Sequence, residues 1–206
     1  MVQRPTQRRG LATLCRACLG SVSISLLTTL ALASPIAHWS FDGVDPAARL
    51  AESYGSTSLD ASEVGSNSWD SRPSFGTVLA NGSDTSYLTI PRSEALEFGM
   101  GSFSISIWIR RTGGSGSSAG ILDALNNTGT GFQIFFRSTN QVRIRLDDDL
   151  GNSTLADVST PHLGQNSWQH LVVAVDRDTD RVTFYVNGVL DDATGIDISN
   201  LTGSIN

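Results

Sequence analysis

Lysine is absent from this chain: all 14 basic residues are arginine, set against 20 acids, for a net charge of −6. Cysteine is nearly absent, with Cys15 and Cys18 the two copies. Beyond the first residues there is no helix-period segment of useful length, and no uninterrupted apolar run long enough for a membrane span, which needs about 20 residues. Each absence excludes something. An acidic chain without a basic cluster repels phosphate backbones and anionic lipid, which excludes nucleic acid and charged membrane surfaces as partners. A lone C-x-x-C pair has neither the second half of a zinc site nor the βαβ context of a redox motif. The three histidines, His38, His162 and His170, share no ligand spacing, so no zinc site is expected from them.

What is present begins with a leader. Arg4, Arg8, Arg9 and Arg16 precede the first acid, Asp42, and an apolar run from Ala17 to Leu32 closes in Ala31-Leu32-Ala33, a small-x-small cleavage pattern. Residues 1–33 are therefore read as a signal peptide, cut after Ala33, and 34–206 as the mature domain, secreted, periplasmic or held at the cell surface with no stable membrane insertion. Both cysteines go with the leader, so the mature domain folds without disulfides. Removing four of the 14 arginines and no acid leaves 10 bases against 20 acids, a net −10. The remaining 173 residues (206 less 33) are enough to bury a sizeable core.

The mature chain reads as strands. In Trp168–Gly188, WQHLVVAVDRDTDRVTFYVNG, Leu171, Val173 and Val175 alternate with polar or small residues on one arm, and Val182, Phe184 and Val186 on the other. Arg177–Asp180 lies between the arms, and Asn187-Gly188 is a dipeptide suited to a two-residue hairpin turn. Phe103, Ile105, Ile107 and Ile109 mark the strongest strand. Others are predicted at Ile36–Phe41, Tyr87–Ile90, Ile121–Leu125, Gly131–Arg137 and Gln141–Asp147, with long loops and short strands from Val44 to Gly76 and one helical turn near Glu94–Phe98. Many strands, Gly-rich turns and no helices predict an all-β, two-sheet antiparallel jelly-roll sandwich. Trp39, Trp108 and Trp168, lying in these strands, are read as core.

Few residues carry candidate chemistry. Gly116-Ser117-Ser118-Ala119-Gly120 fits G-x-S-x-G, but that motif works only at a strand-to-helix turn, and here it sits in a Gly/Ser loop. Asp176–Asp180 begins like a calcium loop yet lacks Gly at its sixth position and Glu at its twelfth, and is read as a hairpin tip. Asp147, Asp148 and Asp149, with Asn152 and Asp157, form the better metal candidate, since three adjacent carboxylates repel unless solvated or neutralised by a cation such as calcium. Trp69, in the polar stretch Asn67–Arg72, is the candidate ligand-binding aromatic, either stacking on a sugar ring or plugging the underside of a loop. Asn81, Asn126, Asn152 and Asn200 each open an N-x-S/T triplet.

Four blocks, Ile36–Gly43 (IAHWSFDG), Leu79–Ile90 (LANGSDTSYLTI), Gly101–Arg110 (GSFSISIWIR) and Trp168–Gly188, occur in the order seen in laminin G-like domains of the concanavalin A-like lectin/glucanase superfamily, and the chain resembles that group. The resemblance implies a curved jelly roll that recognises carbohydrate or protein, in some members with calcium. It also implies further strands after the Asn187-Gly188 hairpin, so the C-terminal strands are expected to be missing from a chain ending at Asn206, leaving open edges and an uncovered apolar face. Where relatives carry an Asp-x-x-Gly-Asn-type loop, this chain has Glu52-Ser53-Tyr54-Gly55-Ser56. Glucanases of this fold use paired carboxylates about 5 Å apart in the retaining case. Here Glu52, Glu63, Glu94 and Glu97 are the four glutamates, and none stands in an E-x-D-x-x-E arrangement. The expectation is thus a secreted, non-catalytic module with a carbohydrate or an extracellular protein as partner. The alternatives are the binding portion of a larger secreted glycoside hydrolase and a structural or adhesive surface protein.

Overall fold

Alternating apolar residues organise the chain into two stacked sheets. In the computed structural model, which describes residues 35–74, 76–80, 85–112, 119–137, 141–160, 163, 165–192 and 195–206, the first sheet holds β5 (Phe103–Ile109), β10 (Gln169–Asp176), β11 (Arg181–Val186), β12 (Val189–Leu190) and β13 (Ile196–Asp197). The second is β6 (Ala119–Asp123), β7 (Gly131–Phe136), β8 (Val142–Asp147) and β9 (Ser153–Asp157), paired in chain order. Two smaller hairpin-like pairs precede them: β1 (Ser62–Val64) with β4 (Tyr87–Thr89), and β2 (Ser68–Arg72) with β3 (Gly76–Ala80). Every strand pairing is antiparallel.

The period of two decides which side chains meet. Phe103 and Ile109 of β5, Leu171, Val173 and Val175 of β10, and Val182 and Phe184 of β11 turn inward onto Ile134 of β7 and Val142, Ile144 and Leu146 of β8, forming one buried cluster. Each such side chain contributes roughly 1.5 to 3 kcal/mol by leaving water. The C-terminal segment joins this core through Ile198, Leu201 and Ile205. It is held from outside by the Arg177 guanidinium, which donates to the carbonyls of Leu201 (2.7 Å) and Gly203 (3.0 Å).

The expected hairpin is present with its register intact. Asp176 pairs with Arg181 across the Arg177–Asp180 tip, and Val186 pairs with Val189 across Asn187 (φ 51°) and Gly188 (φ 80°), the doubly left-handed turn that Asn-Gly favours. The Asp176 carboxylate accepts from the backbone N–H groups of Asp178 (2.9 Å) and Thr179 (3.1 Å), so the acidic tip is a structured turn. β12 and β13 both pair with β11, at its two ends and on the side away from β10. On the opposite side of this sheet, β5 pairs with β10 alone among the described strands.

The structure departs from sequence expectation at several places. Residues 36–41 form no strand. The His38 N–H donates to the Glu52 carboxylate (2.9 Å) instead of a neighbouring strand, and Phe41 takes a left-handed conformation (φ 61°) that breaks the extended run. A short helix, α1 (Pro46–Leu50), interrupts the loop region, capped by Asp45 and started by proline. Trp108 is 52% exposed because the face of β5 opposite Ile107 and Ile109 points to solvent, and Trp39 and Trp168, which lie outside the strands, are half-buried. The turn predicted near Glu94 is a 3₁₀ turn at Glu94–Leu96 with Ser93 as its cap. The leader with Cys15 and Cys18, Ser117 and Ser118 of the G-x-S-x-G match, Asn81 and His162 lie outside the described residues. Among the described residues no helix is long and apolar enough to cross a membrane.

Candidate functional site

The outward residues of the four-stranded sheet fall into rows fixed by strand register. Phe135, Arg143 and Asp157 stand side by side across β7, β8 and β9, with Gly120 of β6 opposite Phe135. The next row is Asp123, Gln133, Arg145 and Leu155, and the last is Gly131, Asp147 and Ser153. Of these residues Gly120, Phe135, Arg143, the whole middle row and Ser153 line an open groove of about 590 Å³, with Asp157 beside it. A smaller hollow of about 260 Å³ adjoins it, shares Arg145 and Ser153, and reaches to Thr128, Thr130 and Asn152.

Charges in the groove are matched by neighbours on the same face. Asp157 Oδ1 accepts from Arg143 Nε (2.6 Å), and Oδ2 accepts from Arg143 Nη2 (2.7 Å) and Arg137 Nη1 (2.8 Å). Two-point docking of a planar guanidinium on a carboxylate is the strongest ion-pair geometry available to side chains. It holds the Asp157 carboxyl below its ordinary range, overcoming the opposing effect of burial, and raises Arg143. Arg145 Nε lies 2.6 Å from Asp147 Oδ2 as an ion pair without hydrogen-bond alignment, while its Nη2 donates to Oδ1 at 3.2 Å. Gln133 donates to Asp123 Oδ2 (2.7 Å), whose other oxygen caps the Leu125 N–H.

Asp147, Asp148 and Asp149, the metal candidates, turn to three different partners. Asp147 faces Arg145. Asp148 is buried and accepts from the N–H groups of Leu150 (3.0 Å), Asn152 (2.8 Å) and Gly203 (2.9 Å) and from the Asn152 amide (2.9 Å). Burial alone would raise the Asp148 carboxyl, but these four donors outweigh it and hold it low. Asp149 accepts from the Ser204 N–H (2.8 Å). Among the described residues no three acidic, histidine or cysteine side chains converge as a metal-holding group. Asp148 thereby organises the β8–β9 turn, and Asp148 and Asp149 together anchor the C-terminal segment.

Trp69 sits on β2, half-buried, outside the groove lining. Its indole N–H donates to Glu63 (2.5 Å), Phe41 lies 5.8 Å from it ring to ring, and the Arg49 guanidinium stands 5.6 Å from its centroid. These contacts are those of a side chain packed beneath the N-terminal loops. Glu52 organises the same region. Burial would raise its carboxyl, but the backbone N–H groups of His38, Ser56 and Tyr54 dominate and lower it. The amide nitrogens of Asn126, Asn152 and Asn200 donate to Asn206, Asp148 and Ser153, so three of the N-x-S/T asparagines are built into the fold.

The alternation of Val142, Ile144 and Leu146 with Arg143 and Arg145 puts both arginines on the outward face of β8, but by itself it does not reveal the groove. The signal lay in the Arg-x-Arg alternation combined with Gln133 and Phe135 on the neighbouring strand, which becomes a site only when the register of β7, β8 and β9 is known.

No curated protein sequence matches the chain. Two solved structures share its fold at a TM-score of 0.61: the binding domain of Paraclostridial Mosquitocidal Protein 1, at 18% identity over 73% of this chain, and that of Botulinum Neurotoxin serotype G, at 19% over 78%. This chain spans 38% and 39% of their lengths, less than half of either. A carbohydrate-binding module of the Ruminococcus gnavus IT-sialidase, bound to α2,3-sialyllactose, overlaps 54% of this chain and 62% of its own at 20% identity and a TM-score of 0.33, too low to argue from. Residues 81–204 match the laminin G-type family model described as the concanavalin A-like lectin/glucanases superfamily, and with more than half its length so matched the chain belongs to that superfamily.

Proposed function

We propose that this protein is a secreted, non-catalytic carbohydrate-recognition module whose ligand lies in the groove of the four-stranded sheet. The observation that carries this reading is the pairing, in one open groove, of fixed planar polar groups with an apolar platform. Arg143 held by Asp157, Arg145 held by Asp147, and Gln133 and Asp123 held by each other offer fixed donors and acceptors, and Phe135 and Leu155 offer the apolar surface on which a sugar ring rests. Side chains already fixed by hydrogen bonds lose little entropy when a ligand arrives. Gly120, opposite Phe135, leaves open space where a side chain would stand.

The ionisation of the carboxyls supports the non-catalytic part of this reading. A glycosidase needs one carboxyl raised to serve as acid, beside a second that acts as base or nucleophile. Among the described residues every carboxyl with a resolved displacement is displaced downward, Asp157 beside the groove included. Such groups remain anions and cannot deliver a proton at neutral pH.

The test is a substitution that fills the groove without disturbing the fold. At Gly120 an added Cβ meets nothing within 4 Å, so Gly120→Trp is expected to fold normally and to lose binding in a glycan array or by calorimetry. Retention of full glycan binding by this variant would move the site elsewhere.

A further inference from the structure

We infer that the groove selects neutral saccharides over anionic ones, through charge balance built into the sheet; this inference rests on the reading of the groove as the carbohydrate site. Three guanidiniums, Arg137, Arg143 and Arg145, stand in or beside the groove, and three carboxylates, Asp123, Asp147 and Asp157, stand with them. The count is level. An arginine fork without a partner is a ready receptor for a sugar carboxylate or sulfate. Here the Arg143 fork is already filled by Asp157 at 2.6 and 2.7 Å, and the same carboxylate takes Arg137 at 2.8 Å.

To take the Arg143 fork an entering anion would have to displace Asp157, leaving a partly buried carboxylate unpaired. It would also approach a chain of net charge −6. A neutral sugar hydroxyl meets no such opposition. It donates and accepts at once, so it can join the edges of an existing network without altering the charge count. The arginines of this groove thus act as fixed hydrogen-bonding frames, with their charge consumed by the protein.

A matched pair of ligands reads the inference directly. Lactose and α2,3-sialyllactose differ by one acidic sugar, and a neutral glucan fragment and an oligogalacturonate form a second pair for a different backbone. With the full chain in a calorimeter, the neutral member of a pair is expected to bind about tenfold more tightly than its anionic counterpart, the scale of one unit charge at a half-exposed site. Asp157→Asn, which frees the Arg143 fork while keeping the side-chain shape, should swing the ratio toward the anionic member by about tenfold and make it fall with added salt. Arg145→Gln should swing it the other way, and this second variant serves if the first does not fold. Tighter binding of the anionic member by the unmodified protein, or ratios unmoved by both substitutions, overturns the charge-balance inference and leaves the groove reading standing. Binding of neither member, or binding untouched by Gly120→Trp, overturns the groove reading and the inference with it.

Discussion

The sandwich has two outer faces built by the same alternation, and they differ in almost every property that matters to a ligand. On the four-stranded sheet the outward residues are Arg143, Arg145, Asp147, Asp157, Gln133 and Phe135, arranged around a groove. On the five-stranded sheet the outward rows are Ser104, Ser106, Trp108, His170, Val172, Ala174, Thr183 and Tyr185, a surface of hydroxyl, aromatic and small side chains, with Asp176, Arg181 and Asp197 gathered at one end of it. There Trp108 lies beside His170, ring centroids 5.1 Å apart, and His170 Nε2 is 2.8 Å from Ser106 Oγ. The middle of one face is held by ion pairs, the middle of the other by ring contact and a neutral hydrogen bond. The comparison teaches that a shared inner core leaves each outer face free to acquire its own chemistry, since most of the folding drive comes from the inward side chains.

The largest effect comes from removing what the faces share. Ile144 is fully buried beneath the groove and belongs to the common core. Ile144→Ala is expected to cost about 3 kcal/mol, and chemical denaturation should show both faces lost in one transition. Separate transitions would divide the sandwich into independent halves.

Next is Asp157→Ala, which leaves Arg137 and Arg143 without their carboxylate. A loss of about 1 to 2 kcal/mol is expected once solvent screening of these partly exposed groups is allowed for, with loss of saccharide binding. Trp108→Ala on the opposite face should leave saccharide binding unchanged. A drop in affinity there as large as that of Asp157→Ala would erase the functional distinction between the faces.

Acid separates them further. Asp157 and Asp148 both titrate lower in the folded protein than in the unfolded chain, where an aspartate titrates near about 3.9. Their contribution is therefore complete above that value and is lost as pH falls through the lower folded values. Thermal midpoints should hold steady from neutrality to about pH 5 and fall below about pH 4. In Asp157→Asn part of that acid-dependent fall should disappear, whereas Trp108→Ala should retain all of it.

The smallest effect is expected from calcium. With Asp147, Asp148 and Asp149 each engaged by the protein, adding calcium or a chelator should leave the thermal midpoint in place. A rise of several degrees on adding calcium would show that these carboxylates regroup around the ion.

Strands with a clean alternation were legible before any coordinates: β5, β7, β8, β10, β11 and the Asn187-Gly188 turn follow from side-chain period and turn chemistry alone. Residues 36–41 alternate as well as many strands do, but Glu52, fourteen positions away, takes the His38 N–H, and no local pattern reveals so distant a competitor. β9 escaped because Ser153, Thr154 and Leu155 carry little contrast between faces, and its pairing is imposed by β8. Trp108 was assigned inward because aromatic side chains in strands usually are; its parity with Ser104 and Ser106 already placed it outside. The groove needed three strands in register, and acidic adjacency drew attention instead to Asp147–Asp149, whose carboxylates serve the turn and the C-terminal segment.

The arrangement of β12 and β13 along β11 has a bearing on how this protein behaves among copies of itself. β11 is a six-residue strand rich in valine and aromatic side chains, the composition that invites a stray peptide to add itself as another strand. Arg181 and Val182 are taken by β13, and Tyr185 and Val186 by β12, leaving Thr183 and Phe184 between them, with the Phe184 carbonyl accepting from Asp191. No stretch longer than two residues remains as a template. Two fragments too short to count as strands in most sheets thus act as a guard against polymerisation, set on the flank of the sandwich away from its groove.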